Sequence, residues 1–168
     1  TLTSYFIRLA EAHLVNPGDL LAYEVSPILN KNYLLNSTTR GGNRFYDGAH
    51  FLNGFGTNSI DMIRCLIKLT GRVAIEETTL KRFSGLFGTR YLVRRKMGWC
   101  PKCLNEHLYY PLLWCLSAYS ICTIHSIPIQ EHCTNCKKQI PYIHKKSRVG
   151  KSPYCQKKHF NQFIEYIA

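Results

Sequence analysis

The chain has 168 residues and 19.4 kDa, with eight cysteines and 22 Lys and Arg against 10 Asp and Glu, for a formal charge of +12. That length holds one modest domain or two small ones and excludes barrel enzymes and most nucleotide-driven motors; with 45% hydrophobic and 19% charged residues the chain is globular rather than disordered. No run approaches ~20 apolar residues, and the opening Thr-Leu-Thr-Ser-Tyr-Phe has neither a basic start nor a cleavage site, so neither a transmembrane helix nor an export signal is expected.

The first element is a helix. Thr3 or Ser4 can cap it, and Phe6, Leu9, Ala10 and Leu14 fall on one face. Asn16-Pro17-Gly18-Asp19 then restarts the helix, with Asn as N-cap and Pro at the first helical position, and Ser26-Pro27 is expected to end it. Two short helices over 1–26 joined by a tight turn have the outline of a helix-turn-helix, which ordinary helical hairpins share. The second helix carries Asp19 and Glu24 and neither Lys nor Arg, poor chemistry for meeting phosphate, so a protein partner suits it as well as a nucleic-acid groove. Tyr5, Arg8, Asp19 and Tyr23, with Arg44 and Tyr46 further on, are the candidate partner-facing residues.

Residues 36–58 hold five glycines among Arg40, Arg44, Tyr46, His50 and Phe51, the make-up of an irregular segment. They contain no GxxxxGK[ST] phosphate loop. A third helix is expected from Asn58 or Ser59 through Ile60, Ile63, Leu66, Ile67 and Leu69, with Gly71 just past its end, and a fourth over 76–83. Gly85 and Gly88 loosen the chain before the basic run Arg90-Tyr91-Leu92-Val93-Arg94-Arg95-Lys96, which places a domain boundary near 85–97 and divides the chain into 1–89 and 90–168.

Cysteines organise the second half. Cys100-Pro-Lys-Cys103 and Cys133-Thr-Asn-Cys136 are CxxC pairs, followed in turn by Cys122-x-x-His125 and Cys155-x-x-x-His159. A CxxC turn brings two sulfurs to one cation, and a second pair on an opposing turn closes the tetrahedron. Cys100, Cys103 and Cys122 each recur 33 residues later, and His125 recurs at 34 as His159. This register predicts two sequential Cys3His zinc sites, the rival being a cross-braced pair with interleaved ligands. His144 and His132 are the alternatives to His159. Disulfides suit a chain without an export signal less well. With four good donors per site and only Glu106, Glu131 and Glu165 as acids, both Zn2+ ions read as structural, supplying folding free energy that a small core lacks. Cys65 and Cys115 sit in apolar runs and read as core. Alternation over 108–124 suits short β-hairpins, with a helix over 109–116 as the alternative, and a terminal helix is expected over 157–167. The expected fold class is small α+β: a helical helix-turn-helix domain, then tandem zinc ribbons with short hairpins and a C-terminal helix.

Charge divides the same way. Residues 1–89 carry net +2 and residues 90–168 net +10. The candidate nucleic-acid residues are Arg90, Arg94, Arg95, Lys96, Lys137, Lys138, Lys145, Lys146, Arg148, Lys151, Lys157 and Lys158, interleaved with Tyr91, Tyr142, His144 and Tyr154. The bland alternative is a solvated basic face.

Two stretches resemble the TniQ family, target-selection proteins of transposons related to TnsD. One is Ser4-Tyr5-Phe6-Ile7-Arg8-Leu9-Ala10-Glu11-Ala12-His13; the other runs from Trp99-Cys100-Pro101-Lys102-Cys103-Leu104 through Tyr109-Tyr110, Leu113-Trp114, Cys122-x-x-His125 and Ile127-Pro128-Ile129 to Cys133-x-x-Cys136. The chain is short for the family and is similar to the compact TniQ of type V-K CRISPR-associated transposons. The resemblance implies a helix-turn-helix followed by zinc fingers in a non-catalytic adaptor. Such an adaptor marks a target site, engages the AAA+ regulator TnsC and, in the CRISPR-associated versions, joins it to an RNA-guided effector with its guide RNA at target DNA. Cys100, Cys103, Cys122 and His125 carry over as one zinc set, and Cys133 and Cys136 as half of the second. Family members often close that second finger with CxxC, whereas here Cys155 is followed by His159. The loop before Trp114 has Pro111 where a basic residue is expected. A monomer within a larger complex is expected, in the bacterial cytoplasm and on the nucleoid when engaged. A protein reading a DNA site directly through its helix-turn-helix and zinc fingers is the alternative. An enzyme is not expected, since no Ser/His/Asp set, Walker motif or open metal triad is apparent.

Overall fold

The structure, a computed structural model, describes residues 1–31, 34, 44–86 and 88–158, apart from the side chains of Arg44, Thr89 and Arg90. Helix α1 spans Leu2–Ala12. Its N-cap is Thr1, whose hydroxyl accepts from the Ser4 N–H, and not Thr3 or Ser4. Those two are buried because α1 is covered on that side: Thr3 N–H and Oγ1 both donate to Asn53 Oδ1 at 3.0 and 3.1 Å. Leu2, Phe6, Ile7 and Ala10 fill the core, each large side chain contributing about 1.5–3 kcal/mol by burial.

Leu14 turns the chain with φ 58, and Asn16 in extended backbone starts α2, Pro17–Leu20. The helix then runs past Pro27, which was expected to end it. A five-residue π-helical turn, Leu21–Val25, leads into α3, Ser26–Leu29, and Asn30 at φ 50 closes it. The wide turn lets Ser26 N–H reach Leu21 O, and Pro27 falls in the first turn of α3, where its missing N–H costs nothing.

Within the segment expected to be irregular, α4 (Arg44–Gly48) and a 3-10 turn (Ala49–Asn53) are helical; residues 36–43 lie outside the described residues. Helix α5 spans Thr57–Thr70 with Gly71 at φ 70 closing it as expected. Its cap is Gly56, since the Ser59 hydroxyl is buried and donates to Leu52 O and Gly54 O. The fourth helix expected over 76–83 is two 3-10 turns, Val73–Thr78 and Leu80–Phe83, broken by extended Thr79.

The second half is built from turns. Helices α6 (Thr89–Leu92) and α7 (Pro101–Glu106) and a 3-10 turn (Leu112–Cys115) are its helical parts among the described residues. Its β pairing among the described residues consists of isolated bridges rather than ribbon hairpins. The expected terminal helix lies beyond the described residues except for Lys157 and Lys158.

The halves share one core. Leu2, Phe6, Leu21 and Leu66 from the first belong to the same buried cluster as Trp99, Leu104, Tyr110 and Ile143 from the second. Polar ties cross the same seam: Tyr110 N–H donates to Ser4 Oγ, Val149 N–H to Glu11 Oε1, and the Arg148 guanidinium to Asn16 Oδ1. No helix of the described residues is long and apolar enough to cross a membrane.

Candidate metal centres

The first cluster joins a helix start to a turn. Cys100 is the N-cap of α7 and Cys103 lies inside that helix. Leu104 N–H returns to Cys100 O and His107 N–H to Cys103 O, so the CxxC is held by helical hydrogen bonds. Facing it is a knuckle closed by the bridge of Ile121 with Pro128, with Cys122 N–H donating to Ile127 O, Ser126 N–H to Cys122 O, and Ser126 at φ 54. The donors converge: Cys103 Sγ lies 3.6 Å from Cys122 Sγ and 3.2 Å from His125 Nδ1, and Cys100 Sγ lies 3.5 Å from that nitrogen.

His125 presents Nδ1 to the sulfurs while its Nε2 lies 3.2 Å from Glu106 Oε1. A carboxylate accepting from the outer ring nitrogen fixes the tautomer that leaves the inner one free to bind a cation. Glu106, one of the three acids of this half, is thus an orienting residue at the end of α7, a role that spacing could not reveal.

Thiol acidity follows the same geometry. Burial pushes Cys122 up, but the N–H groups of His125 and Ile124 outweigh it and bring it down to about 6. Burial, with the neighbouring Cys122 and Cys100, holds Cys103 at about 12. A cation is what allows three crowded sulfurs to ionise together.

The second cluster is Cys133, Cys136 and Cys155, with Cys133 Sγ 3.8 Å from Cys155 Sγ. The grouping is sequential, not interleaved, as the register predicts. Two knuckles build it. In one, His132 bridges Gln139, Cys133 N–H donates to Lys138 O, Lys137 N–H to Cys133 O, and Lys137 has φ 58. In the other, Lys151 bridges Lys158, Ser152 N–H donates to Lys157 O, Gln156 N–H to Ser152 O, and Gln156 has φ 58. The Lys157 N–H, acting on Cys155, helps bring that thiol down to about 6.

All three knuckles therefore superpose in pattern, and they correct one detail of the repeat. Cys155 occupies the fourth knuckle position, where His125 and Cys136 stand, and Ser152 occupies the first, where Cys122 and Cys133 stand. The 33-residue spacing paired Cys155 with Cys122, one triplet away from its structural counterpart. His159 lies outside the described residues. His144, the alternative, uses Nδ1 to accept from Lys146 N–H. Both donor sets fit a tetrahedral cation that favours sulfur and imidazole. Cys65 and Cys115 are buried core thiols as expected, each pushed up to about 11, chiefly by burial.

The candidate basic residues divide. Arg94 takes a structural place, its guanidinium bound to Glu131 Oε1 and to Tyr119 O. Arg148 is half-buried, its guanidinium donating to Asn16 Oδ1 across the seam and to Ser147 O. Arg95, Lys137, Lys138, Lys145, Lys146, Lys151, Lys157 and Lys158 are exposed and Lys96 is half-buried. Lys138 Nζ stands 4.9 Å from the Tyr154 ring, which is exposed and 5.6 Å from His144.

Of the candidate partner-facing residues, Tyr5 and Arg8 line a cavity of about 630 Å³ and Asp19 and Tyr23 one of about 490 Å³. The two adjoin, sharing Leu9, His13, Leu69 and Thr70. Tyr46 instead packs at the seam between the halves beside His144, its hydroxyl buried and pushed up to about 12 by burial and the Asp19 charge.

The family model described as TniQ matches residues 1–129. Among curated proteins the chain has no match.

Proposed function

Because the chain belongs to the TniQ family, matched over residues 1–129, we propose that this transposition target-selection protein is a non-catalytic adaptor with two Zn2+ ions as structural metals. Its basic half holds nucleic acid, and its helical half presents α1 and the start of α2 to the AAA+ regulator TnsC. In this reading α1 and the helix restarting at Pro17 form the helix-turn-helix, and the nucleic acid belongs to an RNA-guided effector at its target. The family match carries the proposal. Two surface features support it: the exposed Tyr154 ring with Lys138 beside it, where a base can stack next to a cation, and the adjoining cavities lined by Tyr5, Arg8, Asp19 and Tyr23.

A pull-down with the AAA+ regulator, with and without guide RNA and effector, tests the link directly. The expected result is capture of the regulator, weakened by Tyr23→Ala together with Arg8→Ala, and nucleic-acid binding that is weak, steep in salt and reduced by Tyr154→Ala. Strong protection of a defined duplex site by the protein alone, persisting at moderate salt, would replace the adaptor with a direct reader of DNA sequence.

A further inference from the structure

Three knuckles share one backbone design, and in two of them both ligand positions are filled by sulfur or imidazole. In the third the first position is Ser152, which is fully buried. Its Oγ lies 3.5 Å from Cys136 Sγ and also faces Cys155, so it stands beside two of the three sulfurs of the cluster. The Tyr154 N–H donates to the same oxygen at 3.3 Å, which uses one of its lone pairs and leaves the other for a cation. Asn135, the other polar side chain beside Cys155, is exposed.

We infer that the second metal centre is a three-sulfur, one-oxygen site in which Ser152 Oγ takes the corner that a knuckle cysteine would occupy. The inference rests on the metal-binding reading of the second cluster. A neutral hydroxyl is a harder and weaker donor to Zn2+ than a thiolate or an imidazole. The two centres are therefore unequal. The first has four strong donors with an oriented histidine, and the second, with Cys136 and Cys155 partly exposed, is the labile one. It gives up its metal first to a chelator, leaving the first centre closed.

Cobalt substitution of the whole protein reads this directly, because sulfur-to-cobalt charge-transfer absorption scales with the number of bound thiolates. Wild-type protein should hold two cobalt equivalents and show six thiolates, as the two clusters provide. Ser152→Cys should raise the charge-transfer intensity by about a sixth and abolish the fast phase of chelator release. Ser152→Ala should accelerate release of one equivalent only, and His159→Ala should leave both phases as they are. The inference is overturned if Ser152→Cys leaves the spectrum unchanged, or if His159→Ala accelerates release while Ser152→Ala does not, since the imidazole then holds the fourth corner. A wild-type protein that binds a single cobalt overturns it together with the metal reading of the second cluster, before any variant is made.

Discussion

At the scale of single residues, the first candidate metal cluster is oriented by a side chain outside its four donors. Glu106 closes α7 and holds His125 by Nε2, so the imidazole meets Cys103 with Nδ1. Removing that carboxylate leaves all four donors in place and frees the ring to turn. Glu106→Ala should therefore cost about 10–100-fold in affinity for one metal equivalent, read by competition with a chromogenic chelator, while Glu106→Gln, whose amide oxygen can still accept, should cost less. Equal metal retention by wild type and both variants would remove Glu106 from the site. Seven of the eight expected ligands gather into the two clusters; six of them stand in CxxC or CxxH pairs, which dictate a local turn that any context must preserve, and Cys155 reaches its cluster from a knuckle position the register did not assign it. Ser152 and Glu106 were not legible. A serine carries no ligand signal until the backbone shows that it occupies a cysteine's place, and the role of Glu106 depends on two segments meeting in space. Arg94 was misleading for the same reason: its partner Glu131 is remote in sequence, so a half-buried ion pair looked like part of a basic surface.

Elements show a similar division between local and remote causes. Gly71 at the end of α5 was readable because a left-handed residue is a local requirement. The continuation of the helix through Pro27 was not, because a proline ordinarily ends a helix and only the π turn at Leu21–Val25 makes room for it. Caps were displaced for a tertiary reason, as Thr3 and Ser59 spend their hydroxyls on other segments. Gly18 belongs with these. It sits at the start of α2 with Lys145 packed against it, and a Cβ there would meet Lys145 Cβ at 2.8 Å and its Cα at 3.1 Å. The backbone atom cannot swing away, so α2 must separate from the second half. Gly18→Ala should lower stability by about 1–3 kcal/mol, visible as a lower melting temperature at full metal occupancy. A melting temperature equal to or above wild type would mean that the seam yields without cost, as an alanine in the first turn of an isolated helix would otherwise be favourable.

For the whole molecule, the charge division into a near-neutral half and a strongly basic half does not correspond to independent folding. Cysteines of both candidate metal clusters, Cys100, Cys103, Cys122 and Cys133, belong to the same buried cluster as Leu2, Phe6 and Leu66 of the helical half. Composition reveals where charge lies but not whether two cores are one, since that depends on Tyr110, Glu11 and Arg148 reaching across the seam. If the clusters bind metal, removing it takes ligands out of the shared core and the helices should melt with the knuckles. Loss of far-ultraviolet helical signal and the change in fluorescence of Trp99 and Trp114 should then coincide during urea unfolding of metal-loaded protein. A strong chelator should shift both to the same lower midpoint. Acid should act in the same direction. Cysteine and histidine must be deprotonated to bind, so protons displace metal as the pH falls. His50, buried and held below its usual value first by burial, is protonated more readily in the unfolded chain, so its contribution to stability is lost as the pH drops below about 6.5. Two separated transitions, with helices surviving metal removal, would establish independent halves and overturn the single core.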